Sequence, residues 1–395
     1  MNLDNILKER NVPDLMTSLN GEKVTTKEQF AKRREELLEI IQKNEYGYMP
    51  GAPDKMEVEV TNEPPNFAAG KATKRELLFT LTVDGVTRSF PVVSVIPNNK
   101  KNVPAFVFMN FSFDSPDRYL PTEEIIDNGF AVFSFHAHGA TSDNNDFTTG
   151  VAPLFARGER ESTAPGKIAM WAWCAMRIMD YIETIEAIDK ENVAVIGHSR
   201  LGKTALLAGA LDERFKYVIS NDSGCSGAAI TRGKEGETVP VITNVFPFWF
   251  CPSYVEHAND FETLGYDQHF LMALTAPRYL MVGSAKEDLW ADPASEFLGA
   301  YAASAAWRVL GKTGLVTKDE IPAPKTVLPE GDVLYQVRFG THYMSREDWC
   351  EYMNFIKSKM NLYNKRAQEI LRSFFMAVPR HRLFDFTEAR CQYKP

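Results

Sequence analysis

The sequence predicts an α/β fold: a mostly parallel central sheet covered by helices on both faces, a three-layer αβα sandwich. Three observations lead there. The runs VPAFVFMNF (103–111) and FAVFSFHAHG (130–139) are apolar without alternation, as strands buried on both faces should be. From that point onward, strand-like runs alternate with helix-length segments. Finally, VAVIGHSRLGKT (193–204) reads as strand, sharp turn and helix, so it presents side chains at the carboxyl end of a strand, where such sheets place their chemistry.

The elements follow in order. Residues 26–44 form an amphipathic helix, with Phe30, Leu37, Leu38, Ile40 and Ile41 mostly on one face. Pro50-Gly51-Ala52-Pro53 ends this N-terminal helical segment, residues 1–55. KMEVEV, ELLFTLTV and SFPVVSVIP, between 55 and 97, are antiparallel strands with a hairpin turn at Asp84-Gly85. After the strands at 103–111 and 130–139 comes a long helix, 166–187, apolar around most of its circumference. Strand 193–197, helix 201–211 and strand 216–222 follow. A loop-rich stretch runs to 260. Then come helix 261–274, strand 277–284, helix 294–309, strand 333–339 and helix 346–361. The whole chain, 1–395, is expected to be one domain, with residues 362–395 an extension that either packs as a tail or makes an oligomer contact.

Net charge is −8, which argues against nucleic acid as a partner. No apolar run is long enough to span a membrane. The five cysteines, Cys174, Cys225, Cys251, Cys350 and Cys391, are widely spaced and form no C-x-x-C pair. That argues against a zinc site or disulfide framework and suits a reduced compartment. The first residues carry no apolar signal core, so the expected location is cytoplasmic; the alternative is a secreted protein whose signal has been removed.

Two mechanisms claim residues 197–204. Gly197, four residues, then Gly202-Lys203-Thr204 fits a phosphate-binding loop, with Lys203 on the phosphates and Asp222 available for a metal. The same residues fit a nucleophile elbow, with Ser199 between strand and helix. A hydrolase needs nucleophile, acid and base in that chain order, each at a strand end. Ser199, then Asp222 or Asp288, then His342 in RFGTHYMS satisfy this. No phosphate-binding scheme needs His342. Gly197 and Gly202 relieve crowding at the turn, and the helix after Ser199 points its N–H groups at a developing oxyanion.

At GHSRLGK the chain resembles the glucuronoyl esterases of carbohydrate esterase family 15, bacterial type. The likeness continues through GALDERF and ISNDSGCSGAA to residue 229, then DQHFLMALTAPR (267–278), SAKEDLWADP (284–293) and Gly340-Thr341-His342, spanning most of 100–360. The resemblance implies an α/β-hydrolase fold and a serine esterase that uses no metal or other cofactor. Its substrates would be esters between 4-O-methyl-glucuronic acid on xylan and lignin alcohols. Ser199 would be the nucleophile, His342 the base, and Arg200 the oxyanion support. Lys203 and Glu237 would bind the uronate hydroxyls, and Trp290 would line the sugar site. The family places its acid at either of two strand ends, here Asp222 and Asp288. Asp288 is the expected partner, because Asp222 is a methylene shorter than the glutamate usual at its position. Asp222 would then be a structural group hydrogen-bonded to backbone. The runner-up is an acetyl or acyl esterase on xylan-derived saccharides with the same triad.

Other candidates have plainer readings. His136 and His138 are spaced as metal ligands but lack accompanying carboxylates, so they are read as lining or structural. His198 is read as packing and His269 as a hydrogen-bonding scaffold. FPFWF (246–250) is either a wall of the site or core, and Cys225 and Cys251 are buried thiols.

Overall fold

A computed structural model describes residues 2–155 and 158–360. The chain divides into two compact units, 1–352 and 353–395. Of the second, only 353–360 is described, all of it helical, so the expected C-terminal extension, 362–395, lies outside the described residues.

Within 1–352, the described strands are β1 (Lys55–Asn62), β2 (Ala72–Val83), β3 (Val86–Pro97), β4 (Val103–Asn110), β5 (Ala131–His136), β6 (Ile188–His198), β7 (Tyr217–Asn221), β8 (Tyr279–Ala285), β9 (Thr326–Leu328) and β10 (Val333–Arg338). They form one sheet in the order β1-β2-β3-β5-β4-β6-β7-β8-β10-β9. The run from β5 to β10 is parallel, while β1–β3 and β9 are antiparallel additions at the two ends. The antiparallel start and parallel body are as the apolar patterning predicts.

Alternation within β4 shows the two covered faces. Val103, Ala105, Val107 and Met109 join the main core, together with the helices Lys167–Ile182, Arg200–Leu211 and Pro293–Ala303. Phe106 and Phe108 turn the other way, and the Trp349 ring packs edge-on against both at 5.1 and 5.5 Å. That second face is covered by the helical residues 346–352 and the helix Thr122–Asp127. Each such aromatic, fully buried, stabilises the fold by ~2 kcal/mol. The helix Lys167–Ile182 is buried on nearly every side, which explains its unbroken apolarity.

Two expected helices divide, and one strand is new. The predicted helix 261–274 is a 3₁₀ turn, Phe261–Leu264, and a separate short helix, His269–Ala273. Gly265 adopts φ +72° and ends the first piece. Residues 294–309 divide into Pro293–Ala303 and Ala305–Val309. The three-residue edge strand β9 had no sequence signal. Among the described residues no helix is long and apolar enough to cross a membrane.

Candidate active site

β6 ends at His198 and the next helix begins at Arg200, so Ser199 alone makes the turn. Its φ of 58° and ψ of −129° lie in a region that costs about 1–3 kcal/mol for a side-chain-bearing residue. Two glycines permit that geometry. A Cβ on Gly197 would sit 2.0 Å from the Leu201 carbonyl oxygen, and one on Gly202 would sit 2.9 Å from Ser223 Cβ. The Ser199 N–H donates to the Asn221 carbonyl at 2.9 Å, tying the turn to the end of β7. This is an elbow. A phosphate cradle needs several loop residues around the anion, and one residue leaves no room. Thr204 is buried, with its hydroxyl donating to the Arg200 carbonyl at 3.0 Å, and Lys203 is likewise buried.

His342 follows β10, and its ring centroid lies 4.5 Å from that of His198, beside the elbow. Its Nδ1 is 2.6 Å from Asp288 Oδ2. Asp288 is buried just after β8, and its other oxygen accepts the Ala291 N–H at 3.2 Å. Burial pushes the Asp288 carboxyl up, but the hydrogen bond and charge of His342 and the Ala291 N–H outweigh it, so it is held below its ordinary value. His198 Nδ1–H donates to Asn221 Oδ1 at 2.7 Å, and the ring stacks on Tyr119 at 5.3 Å. Burial, then the neighbouring His342, push His198 down to about 3, so it packs as a neutral ring.

Asp222 lies close by without joining the pair. One of its oxygens is within 4.8 Å of ligating atoms of Asp288 and His342. Its carboxylate is fully buried, and neither oxygen has a hydrogen-bond partner. Arg338 Nη2 stands 3.5 Å away, and His198 Nδ1 3.9 Å. Burial and the nearby Glu296, Asp348 and Asp288 push Asp222 well above its ordinary value, with Arg338 opposing. The expected carboxylate bond to backbone is therefore corrected. Only the Asp222 N–H is engaged, donating to Gly283 O at 2.7 Å.

The loop bearing His342 is held by Arg338, a residue the sequence reading passed over. Its guanidinium donates to the carbonyls of Phe339 (2.9 Å) and Thr341 (3.2 Å) and pairs with Asp348 at 2.9 Å. Gly340, with φ +110°, gives it space: a Cβ there would come 2.6 Å from Arg338 Nη1. An arginine ending a buried parallel strand was a usable signal, because burial demands partners for its charge.

Arg200 reaches back over the turn. Its Nη1 pairs with Asp143 Oδ2, and its guanidinium carbon lies 4.9 Å from the Trp249 ring and 5.5 Å from the Phe111 ring. Arg200 Nε is buried without a hydrogen-bond partner. Trp249 thus serves both readings of FPFWF, as core and as wall. Lys203 Nζ donates to the Ser223 carbonyl, and burial lowers its pKa, with Glu237 opposing. Glu237 is buried, its N–H donating to the Trp290 carbonyl at 3.1 Å. The Trp290 side of the site is open, with that residue 56% exposed. The His136 ring packs tilted against Phe113 at 4.0 Å, His138 contacts Asp143 at 3.2 Å, and His269 bonds Pro13 O at 2.9 Å, all as plain structural neighbours.

An exposed imidazole hydrogen-bonded to a buried carboxylate, beside a strained serine and with a cation stacked nearby, can carry out acyl transfer. Known proteins point the same way. A family model described as "Glucuronyl esterase, fungi" matches residues 79–311. A "Carbohydrate esterase MZ0003" from an unknown prokaryotic organism is 32% identical over 88% of this chain and 89% of its own length. A "4-O-methyl-glucuronoyl methylesterase" of Hypocrea jecorina is 30% identical over 75% of this chain, which spans 62% of that protein's length. The solved structure of a glucuronoyl esterase from Solibacter usitatus superposes with a TM-score of 0.82 at 31% identity, covering 88% of this chain and 97% of its own.

Proposed function

Because the chain belongs to the glucuronoyl esterase family of carboxylic ester hydrolases, with the α/β-hydrolase fold, we propose that it hydrolyses esters of 4-O-methyl-glucuronic acid by a serine acyl-enzyme mechanism. The observation that carries this reading is the 2.6 Å contact between His342 Nδ1 and Asp288 beside the Ser199 elbow. Asp288 keeps the His342 proton on Nδ1, leaving Nε2 free to take the proton of Ser199 Oγ. Ser199 adds to the ester carbonyl, and His342 then protonates the departing alcohol. Water, deprotonated by His342, releases the acid and restores the serine.

The tetrahedral oxyanion meets the backbone N–H of Arg200, at the start of a helix, and its guanidinium. Lys203 and Glu237 offer an ammonium donor and a carboxylate acceptor to neighbouring sugar hydroxyls, and Trp290 an aromatic wall. The exposure of Trp290 suits an ester carried on a polymer such as glucuronoxylan, reached from outside.

The uronate site is tested with Lys203→Ala. In that variant kcat/KM on a benzyl ester of 4-O-methyl-glucuronate should fall about 10–100-fold, the worth of one charged hydrogen bond, while an aryl acetate is nearly unaffected. Equal losses on both would refute the assignment.

A further inference from the structure

We propose that Asp143 is a positioning residue for the reaction, holding the Arg200 guanidinium in the orientation in which it meets the oxyanion. The inference rests on the reading of Arg200 as oxyanion support. Asp143 stands 57 residues before Arg200, in the loop after β5, and no strand-end or motif logic points to it.

Three donors converge on its carboxylate. Arg200 Nη1 and His138 Nε2 address Oδ2, the latter at 3.2 Å, and Trp249 Nε1 donates to Oδ1 at 2.6 Å. The same Trp249 ring lies under the guanidinium, which touches Phe111 on a second side. One end of the fork is therefore tied to an anion and its plane to aromatic rings. Nε, buried and unbonded, is left to meet a charge that appears only during reaction.

The loop is itself held in place. Lys167 Nζ donates to Thr141 Oγ1 at 2.9 Å and to the Asp146 carbonyl at 2.5 Å, and Trp171 Nε1 donates to the Thr141 carbonyl at 3.3 Å. Asp146 in turn accepts the Thr148 N–H at 2.8 Å and the Thr149 hydroxyl at 2.9 Å. Asp143 is thus carried on a segment pinned to the buried helix Lys167–Ile182, not on a free surface turn. Such support is what a donor needs if it is to pay no reorganisation as the oxyanion forms.

The test is a double-mutant cycle on the glucuronate ester. Asp143→Asn keeps an acceptor for Trp249 but loses the charge on Arg200. It should lower kcat about tenfold to a hundredfold, the scale of a catalytic group displaced by an ångström, with KM within about threefold. Arg200→Met should lose about 100-fold to 1000-fold. The double variant should be no more than about twofold slower than Arg200→Met, because Asp143 acts only through Arg200. Multiplying losses would overturn the proposal, and so would full kcat in Asp143→Asn alongside a slow Arg200→Met. If Arg200→Met itself is fully active, the oxyanion reading fails first and the proposal with it. Asp143→Ser, taken through the same cycle, replaces Asn if that variant does not fold.

Discussion

Replacing Asp288 by Asn separates the two carboxylates that the sequence offers. Asp288 makes a 2.6 Å hydrogen bond to His342 Nδ1 from a buried position, with its second oxygen held by the Ala291 N–H. An Asn amide turned toward the ring can present its own N–H to Nδ1. The imidazole proton then moves to Nε2, and the base cannot accept from Ser199. In serine triads this error costs about 10⁴ in kcat, which at about 1.36 kcal/mol per tenfold is ~5 kcal/mol of barrier. Asp222→Asn removes no hydrogen bond, because neither carboxylate oxygen makes one; it changes the group that faces Arg338 at 3.5 Å and His198 at 3.9 Å. Its expected loss is within about tenfold, since no donor or acceptor of the reacting groups changes. Steady-state kcat on the glucuronate ester decides, with near-UV circular dichroism to verify folding. A larger loss in Asp222→Asn than in Asp288→Asn would refute the reasoning.

Two further outcomes are expected. Gly197→Ala puts a Cβ 2.0 Å from a backbone carbonyl that cannot swing aside, so it should destabilise by about 3 kcal/mol, the upper end for overpacking, in urea unfolding; an unchanged midpoint would contradict the elbow geometry. Glu45 is pushed up from 4.5 to about 7 by burial, against hydrogen bonds from neighbours that include Gln268. The folded state therefore keeps its proton where the unfolded state has lost it, and stability falls as pH rises from 4.5 to about 7, by ~3 kcal/mol at most. The Tm of the native protein minus that of Glu45→Gln should drop across this window and be flat above it; a flat difference throughout would show Glu45 unperturbed.

What the sequence made legible has physical reasons. Strands β4 and β5 are covered on both faces, so their apolar runs are continuous and readable. The elbow is readable because one of its glycines, Gly197, is forced by a contact four residues along, with Leu201; Gly202 is forced by residues at the end of β7 and just beyond it. The helix 261–274 was misjudged because Gly265 interrupts a run of otherwise suitable residues, and a period cannot register one left-handed residue. The two acids could not be separated by position alone, since Asp222 and Asp288 both end strands; side-chain reach to His342 decides, and that is a three-dimensional quantity. Asp143 and Arg338 act through partners far along the chain or through main-chain carbonyls, and neither leaves a spacing pattern.

The proposed mechanism rests on attack by Ser199 on a glucuronate ester. The most direct test compares wild type and Ser199→Ala on a benzyl ester of 4-O-methyl-glucuronic acid and on an aryl acetate. The wild type should strongly prefer the glucuronate ester, and the variant should lose that activity. Hydrolysis of the acetate alone, or a glucuronate activity that survives in Ser199→Ala, would contradict it.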